Sequence, residues 1–174
     1  MAATRNGRVG VIGTEATLAS GAYPRALLAE RPGIEIFTQA CPLFVPLAEE
    51  GWVDNEIARA VVDRYLAGLV DSGIDTLVLG CTHYPLLAPA IRACLGPDVT
   101  VVDSAAATAG ALERALDEGD LRRSGLPGRA SFYVSDVPDR FIRLGARFYG
   151  NSVASAQRVV LQADAGFAGT HTAG

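Results

Sequence analysis

The sequence is short of several features, each of which would point to a class of protein. It has no apolar run approaching the roughly 20 residues that a membrane-spanning helix needs. Its start, Met1-Ala2-Ala3-Thr4-Arg5-Asn6-Gly7-Arg8, lacks the apolar core of a secretory signal. The expectation is a chain that stays in the cytoplasm and makes no use of a membrane. There are three cysteines, Cys41, Cys81 and Cys94, an odd number without CxxC spacing, which argues against a disulfide framework and against a four-ligand zinc site. Only two histidines are present, His83 and His171, so Cys81 and His83 lack the further ligands that a metal would require, and no metal is expected. Charge is never concentrated: 15 basic and 19 acidic residues are interspersed, and the net charge of -4 steers the chain toward neither nucleic acid nor an anionic membrane. The default partner is a small molecule.

What is present is an ordinary globular balance. The 174 residues are 49% hydrophobic and 20% charged, enough for one full core or slightly more. A β-branched run over 8–12 ends in Gly13-Thr14 and predicts a buried strand that delivers a loop. Ser20 and Pro24 predict a helix over 23–30, broken by Pro32-Gly33 before a strand over 34–37. The proline-interrupted stretch 41–50 permits a short helix starting near Pro42 or Pro46 and ending at Glu49-Glu50 before Gly51. Beyond Asp54 and Asn55, either of which can cap, Ile57, Val61, Tyr65, Leu66, Leu69 and Val70 recur at helical spacing until Gly73. A strand over 75–79, a loop over 80–85, a helix over 86–95 and a strand over 99–102 follow. This alternation predicts an α/β fold, a mostly parallel sheet sandwiched by helices, with ligand sites at the carboxyl ends of its strands. Downstream come a helix from Ser104 to about 117, a hinge with Gly125, Pro127 and Gly128, a strand over 131–135, a helix over 138–148, an apolar stretch over 153–161 and a small, polar, flexible tail over 162–174.

Cys81 stands directly after a strand and a glycine, beside Thr82 and His83, where an exposed and activated thiol would be placed. A nearby imidazolium or a loop of backbone N–H groups favours the thiolate, which can act as nucleophile or general base. The competing reading is a partly buried Cys with a hydrogen-bonded His. Cys41, before a proline-rich turn, and Cys94, on an apolar helix face, read as structural. Glu49 can assist a proton transfer or simply end a solvated helix.

Taken together the pieces say more. The stretches Val9-Gly10-Val11-Ile12-Gly13-Thr14-Glu15-Ala16-Thr17, Cys41-Pro42-Leu43-Phe44-Val45-Pro46-Leu47-Ala48-Glu49 and Leu79-Gly80-Cys81-Thr82-His83-Tyr84-Pro85-Leu86-Leu87 resemble glutamate racemases in order and spacing. The resemblance continues through Val101-Val102-Asp103-Ser104 and Phe132-Tyr133-Val134-Ser135 to 141–150, so it covers nearly all of the chain but the tail. It implies inversion at the α-carbon of glutamate without cofactor or metal, by two cysteines on opposite faces of the substrate, in a cleft poor in water. Carried over by position, Cys81 resembles the second catalytic thiol, His83 its acid/base neighbour, which also touches substrate, and Glu49 the assisting carboxylate. Thr82 resembles a substrate-carboxylate contact, and Thr14 and Thr17 resemble substrate-side loop residues. The resemblance also implies a supply of D-glutamate for peptidoglycan.

The family has, in addition, an N-terminal segment with a second cysteine in a Cys-Asn-Thr loop, and no such loop occurs in these 174 residues. The expectation is therefore a complete domain over 8–103 that carries Cys81, the C-terminal portion of a second, pseudo-symmetric domain over 104–161, and a chain that is a fragment of a reading frame, inactive alone. A homodimer or a complementing N-terminal chain would supply the rest. The alternatives are a catalytically silent module that binds an acidic amino acid or regulates, and a related aspartate or hydantoin racemase.

Overall fold

In a computed structural model, which describes residues 3–123, 125, 128, 130–150 and 153–161, the run after Arg8 forms β1 (Arg8–Gly13), the strand around which the first part of the chain is arranged. β2 (Glu35–Ala40) pairs with one edge of β1 and β3 (Thr76–Leu79) with the other, and β4 (Thr100–Asp103) pairs with β3. All three pairings are parallel, in the order β2-β1-β3-β4. The predicted α/β class is the observed one.

Alternation along the strands turns Gly10, Ile12, Leu77 and Leu79 to one face, where α4 (Glu56–Asp71) and α5 (Ala88–Leu95) pack. Gly10 lets the helices approach closely there, since a Cβ on it would lie 2.8 Å from Ile74 Cδ1 and 3.0 Å from Leu77 Cδ1 and those side-chain ends would have to shift. α4 starts at Asn55, whose side chain accepts the Ala58 N–H, and stops at Ser72-Gly73. Its buried face is Ala58, Val62, Leu66 and Leu69. The sequence stripe is thus partly corrected: Val61 and Tyr65 are half-buried against the core, but Ile57 is 52% exposed and Val70 44%. At 3.6 residues per turn Ile57 falls about 140° round the helix from Val62, too far to reach the sheet.

The other sheet face, with Val9 and Val11 fully buried, is served by α1 (Glu15–Ala19) and α2 (Ala22–Glu30). The sequence does not signal α1, but the helix expected over 23–30 is α2. Ser20 closes α1 and its hydroxyl accepts the Ala22 N–H (3.2 Å) at the start of α2, with Gly21, at φ 63°, turning the chain between them. The helix expected over 86–95 begins earlier and tighter, as a 3₁₀ turn (Tyr84–Leu87), before α5; Pro89 lacks the N–H that a continuous α-helix from Tyr84 would use. α3 (Phe44–Glu50) ends at Gly51, which has φ 81°.

At the amino end of β3, the buried Asp75 fastens the approach to β1. Its carboxylate accepts from the Thr4 hydroxyl (2.7 Å), the backbone N–H groups of Arg5 and Asn6 (2.6 Å each) and the Thr76 hydroxyl (3.0 Å). Burial opposes its ionisation, but these four donors outweigh burial and hold the carboxyl down to about 2.

The chain divides into two compact units, Met1–Ser124 and Gly125–Gly174. α6 (Ser104–Glu118), capped by Asp103 through the Ala105 N–H (2.8 Å), falls in the first unit and buries no residue. In the second unit, β5 (Tyr133–Val134) pairs in parallel with β6 (Gln157–Arg158), and α7 (Pro138–Tyr149) lies between them in sequence. The strand expected over 131–135 and the apolar stretch over 153–161 therefore each contribute only two paired residues. Pro127 of the expected hinge and the tail over 162–174 lie outside the described residues.

Candidate active site

The strand order reverses at β1: the chain leaves it for β2 on one side and returns past it to β3 on the other. A crevice opens at such a switch point, beyond the carboxyl ends of the two inner strands, because their following loops depart to opposite faces. Here those loops begin at Gly13-Thr14 and Gly80-Cys81. Two backbone bonds draw the loops together at β1: Gly80 N–H donates to Ile12 O (2.7 Å), and Cys41 N–H, from the loop after β2, donates to Gly13 O (3.0 Å). Only glycine fits at position 80, where a Cβ would lie 2.7 Å from Ile12 O and 3.0 Å from the Tyr23 ring.

Cys81 leaves this turn partly exposed, as an unbridged thiol, and Thr82 beside it is exposed. His83 opens the 3₁₀ turn and directs Nε2 to within 3.6 Å of Glu49 Oε1, with both side chains 26% exposed. On its other side, His83 Nδ1 lies 3.4 Å from the Thr82 hydroxyl. Glu49 stands near the end of α3, so the pair joins the loop after β3 to the helix after β2. A carboxylate beside imidazole orients the ring, an arrangement suited to proton transfer. At the end of β1, the Thr14 hydroxyl accepts the Thr17 N–H (3.3 Å) and lies 2.9 Å from the Thr17 hydroxyl, so both threonines also hold the first turn of α1.

The other two thiols are placed differently. Cys41 is fully buried, its Sγ directed at Gln39 O (3.6 Å), and burial pushes its pKa up to about 12. Cys94, on α5, is pushed up to about 11 by burial and then by the adjacent Asp63. At neutral pH both remain thiols. Among the described residues, no group of three or more His, Cys, Asp and Glu side chains is arranged to hold a metal ion.

The structure thus brings Cys81, Thr82, His83 and Glu49 to one rim, and sets Thr14 and Thr17 at the neighbouring strand end. Sequence reasoning passed over Tyr84. It is fully buried, and its hydroxyl donates to Cys41 O (2.9 Å).

A parallel α/β sheet with a half-exposed thiol at its switch point and an imidazole–carboxylate pair beside it defines the class, and the chain belongs to the Asp/Glu/Hydantoin racemase family, whose sequence model matches residues 1–112. Over 164 residues it is 51% identical to a glutamate racemase of Geobacter metallireducens, a match covering 94% of this chain and 61% of that protein. Among solved structures it resembles glutamate racemase isoform RacE1 of Bacillus anthracis, with TM-score 0.81 and 31% identity over 91% of this chain and 59% of that one. It also resembles the Francisella tularensis glutamate racemase solved with D-glutamate, with TM-score 0.77 and 34% identity over 90% and 58% of the two chains. The chain spans less than two thirds of the length of these relatives.

Proposed function

We propose that this chain carries one side of the acid–base machinery of a cofactor-independent glutamate racemase, with Cys81 as the thiol that works on one face of the substrate. The observation that carries this reading is the position of Cys81: partly exposed on a glycine turn at the switch point, two residues before an imidazole that sits 3.6 Å from a carboxylate. The Cys81 thiolate takes the α-hydrogen of glutamate as a proton. The electron pair of the broken C–H bond stays on the α-carbon and spreads into the substrate carboxylate. An acid on the opposite face then delivers a proton to that carbon and completes inversion.

His83, oriented by Glu49 at 3.6 Å, presents its ring beside the Cys81 turn for proton transfer and for hydrogen bonding to the substrate. The hydroxyls of Thr82, Thr14 and Thr17 and the N–H groups of the two loops supply donors for the substrate carboxylates. The residues over 8–103 act as one racemase domain, and those over 104–161 belong with the other. The opposite acid comes from outside the described site, from a longer version of this chain, a second copy or a complementing chain. The product, D-glutamate, serves peptidoglycan synthesis in a bacterial cytoplasm.

The reading is tested by alkylating the purified chain with iodoacetamide, with and without glutamate, and locating the label by mass spectrometry. Cys81 is expected to react first, since Cys41 and Cys94 are held as thiols. Either enantiomer of glutamate should slow its labelling, and alanine should not. If glutamate fails to protect Cys81, or protects Cys41 and Cys94 equally, the rim is not an acidic amino-acid site.

A further inference from the structure

Resting on that reading of the rim, we propose that Tyr84 is the positioning residue for it: by tying the Cys81 turn to the start of α3, its buried hydroxyl sets the separation of His83 from Glu49. The two members of the imidazole–carboxylate pair belong to different elements, His83 to the 3₁₀ turn after β3 and Glu49 to α3 after β2. β2 and β3 are not neighbours, since β1 lies between them. Pairing through β1, with the Gly80–Ile12 and Cys41–Gly13 bonds, fixes the bases of the two loops, and their separation above the sheet is left to contacts between the loops themselves.

Tyr84 supplies the direct link. Its backbone N–H donates to Cys81 O (3.3 Å), and its side-chain hydroxyl donates to Cys41 O (2.9 Å), which also accepts the Phe44 N–H (3.1 Å) at the first residue of α3. One residue thus holds the carbonyl of the reactive cysteine and the carbonyl that starts the helix bearing Glu49. The aromatic rings reinforce the tie. Phe44 meets Tyr84 edge to face at 5.1 Å and 78°, and Tyr65 of α4 at 5.5 Å and 79°, so the stack is keyed into the core helix. Burial, then the nearby Cys41, Cys81 and Tyr65, push the Tyr84 hydroxyl well above its ordinary pKa of 10, so it stays a donor at every working pH.

The test is a double-mutant cycle on the full chain. The rate of Cys81 alkylation is measured in the wild type, Glu49→Gln, Tyr84→Phe and the double variant, with the thermal midpoint recorded for each. Tyr84→Phe keeps the ring and removes the link. It is expected to slow Cys81 alkylation by about threefold or more when Glu49 is present, because the His83 ring beside the Cys81 turn is no longer held against its carboxylate, and to add nothing when Glu49 is already Gln. A purely structural role predicts the opposite sign, because loosening exposes Cys81 and Cys41 and speeds labelling of both. An equal effect in the two backgrounds, or none, overturns the proposal. If Glu49→Gln itself leaves Cys81 reactivity unchanged, the rim reading has failed, which is a different result from a Tyr84 variant that does not couple. If Tyr84→Phe does not fold, Phe44→Leu, which unseats the Tyr84 ring and with it the hydroxyl, is read in the same two backgrounds: slowing confined to the background with Glu49 supports the tie, and equal effects or none overturn it.

Discussion

The two units of the chain carry similar sequence signals and fold to different depths. In Met1–Ser124, four parallel strands put Val9, Val11, Ile12, Leu77 and Leu79 at 1% exposure or less, and α4 and α5 close one face. In Gly125–Gly174, two strands of two residues each meet one helix that buries no residue, and Val153 is the buried apolar side chain among those described. α6 sides with the second kind, since Leu112 is 59% exposed although the helix is regular and well capped. An amphipathic pattern and a good cap are enough to specify a helix, but burial, and with it stability, depends on a second surface at the right distance.

That contrast can be broken by mutation. Leu66→Ala in α4 should cost about 2–5 kcal/mol, the cost of a cavity in a packed core, whereas Val134→Ala in β5 should stay within about 0.5 kcal/mol. Urea titrations of the two variants check this, and equal costs would mean that the second unit is packed as firmly as the first. Asp75→Asn comes next, at about 1–3 kcal/mol, because an amide cannot accept from all four donors and leaves buried N–H or O–H groups unpaired. The sign of its pH dependence follows from the lowered pKa. The folded value of about 2 lies below the ordinary 3.8, so the stabilisation is complete above the ordinary value and is lost as pH falls toward about 2. Melting curves of wild type and Asp75→Asn should therefore converge in acid; a gap that persists there would assign the effect to packing. Cys81→Ala is expected to move stability least, within about 0.5 kcal/mol, since the side chain is partly exposed. A large loss on calorimetry would return Cys81 to the structural thiols.

Much of the first unit was legible because β1, β3 and β4 are apolar runs rich in β-branched residues and ended by glycine or aspartate, and because Asn55, Gly51 and Gly73 sit where caps and stops belong. The loop thiol was legible for the same reason: a strand, a glycine and then Cys81. What escaped needed distances. The pairing of His83 with Glu49 across 34 positions, the tie from Tyr84 to Cys41 O and the four donors on Asp75 are contacts between loops far apart in sequence, to which no periodicity refers. α1 escaped because five residues are too few to establish a helical period. The strand expected over 131–135 contains β5, but its pairing with β6 over only two residues escaped, because apolar content predicts a strand and not how much of a partner lies beside it.

The claim at the centre is that one thiol works on one face. It is tested most directly by incubating the purified chain in deuterated water with D-glutamate and with L-glutamate separately, beside a Cys81→Ala control, and following α-hydrogen loss by NMR and inversion by circular dichroism. The account predicts Cys81-dependent exchange from one enantiomer, with retention of configuration. Exchange that survives Cys81→Ala, or inversion by the chain alone, would contradict it.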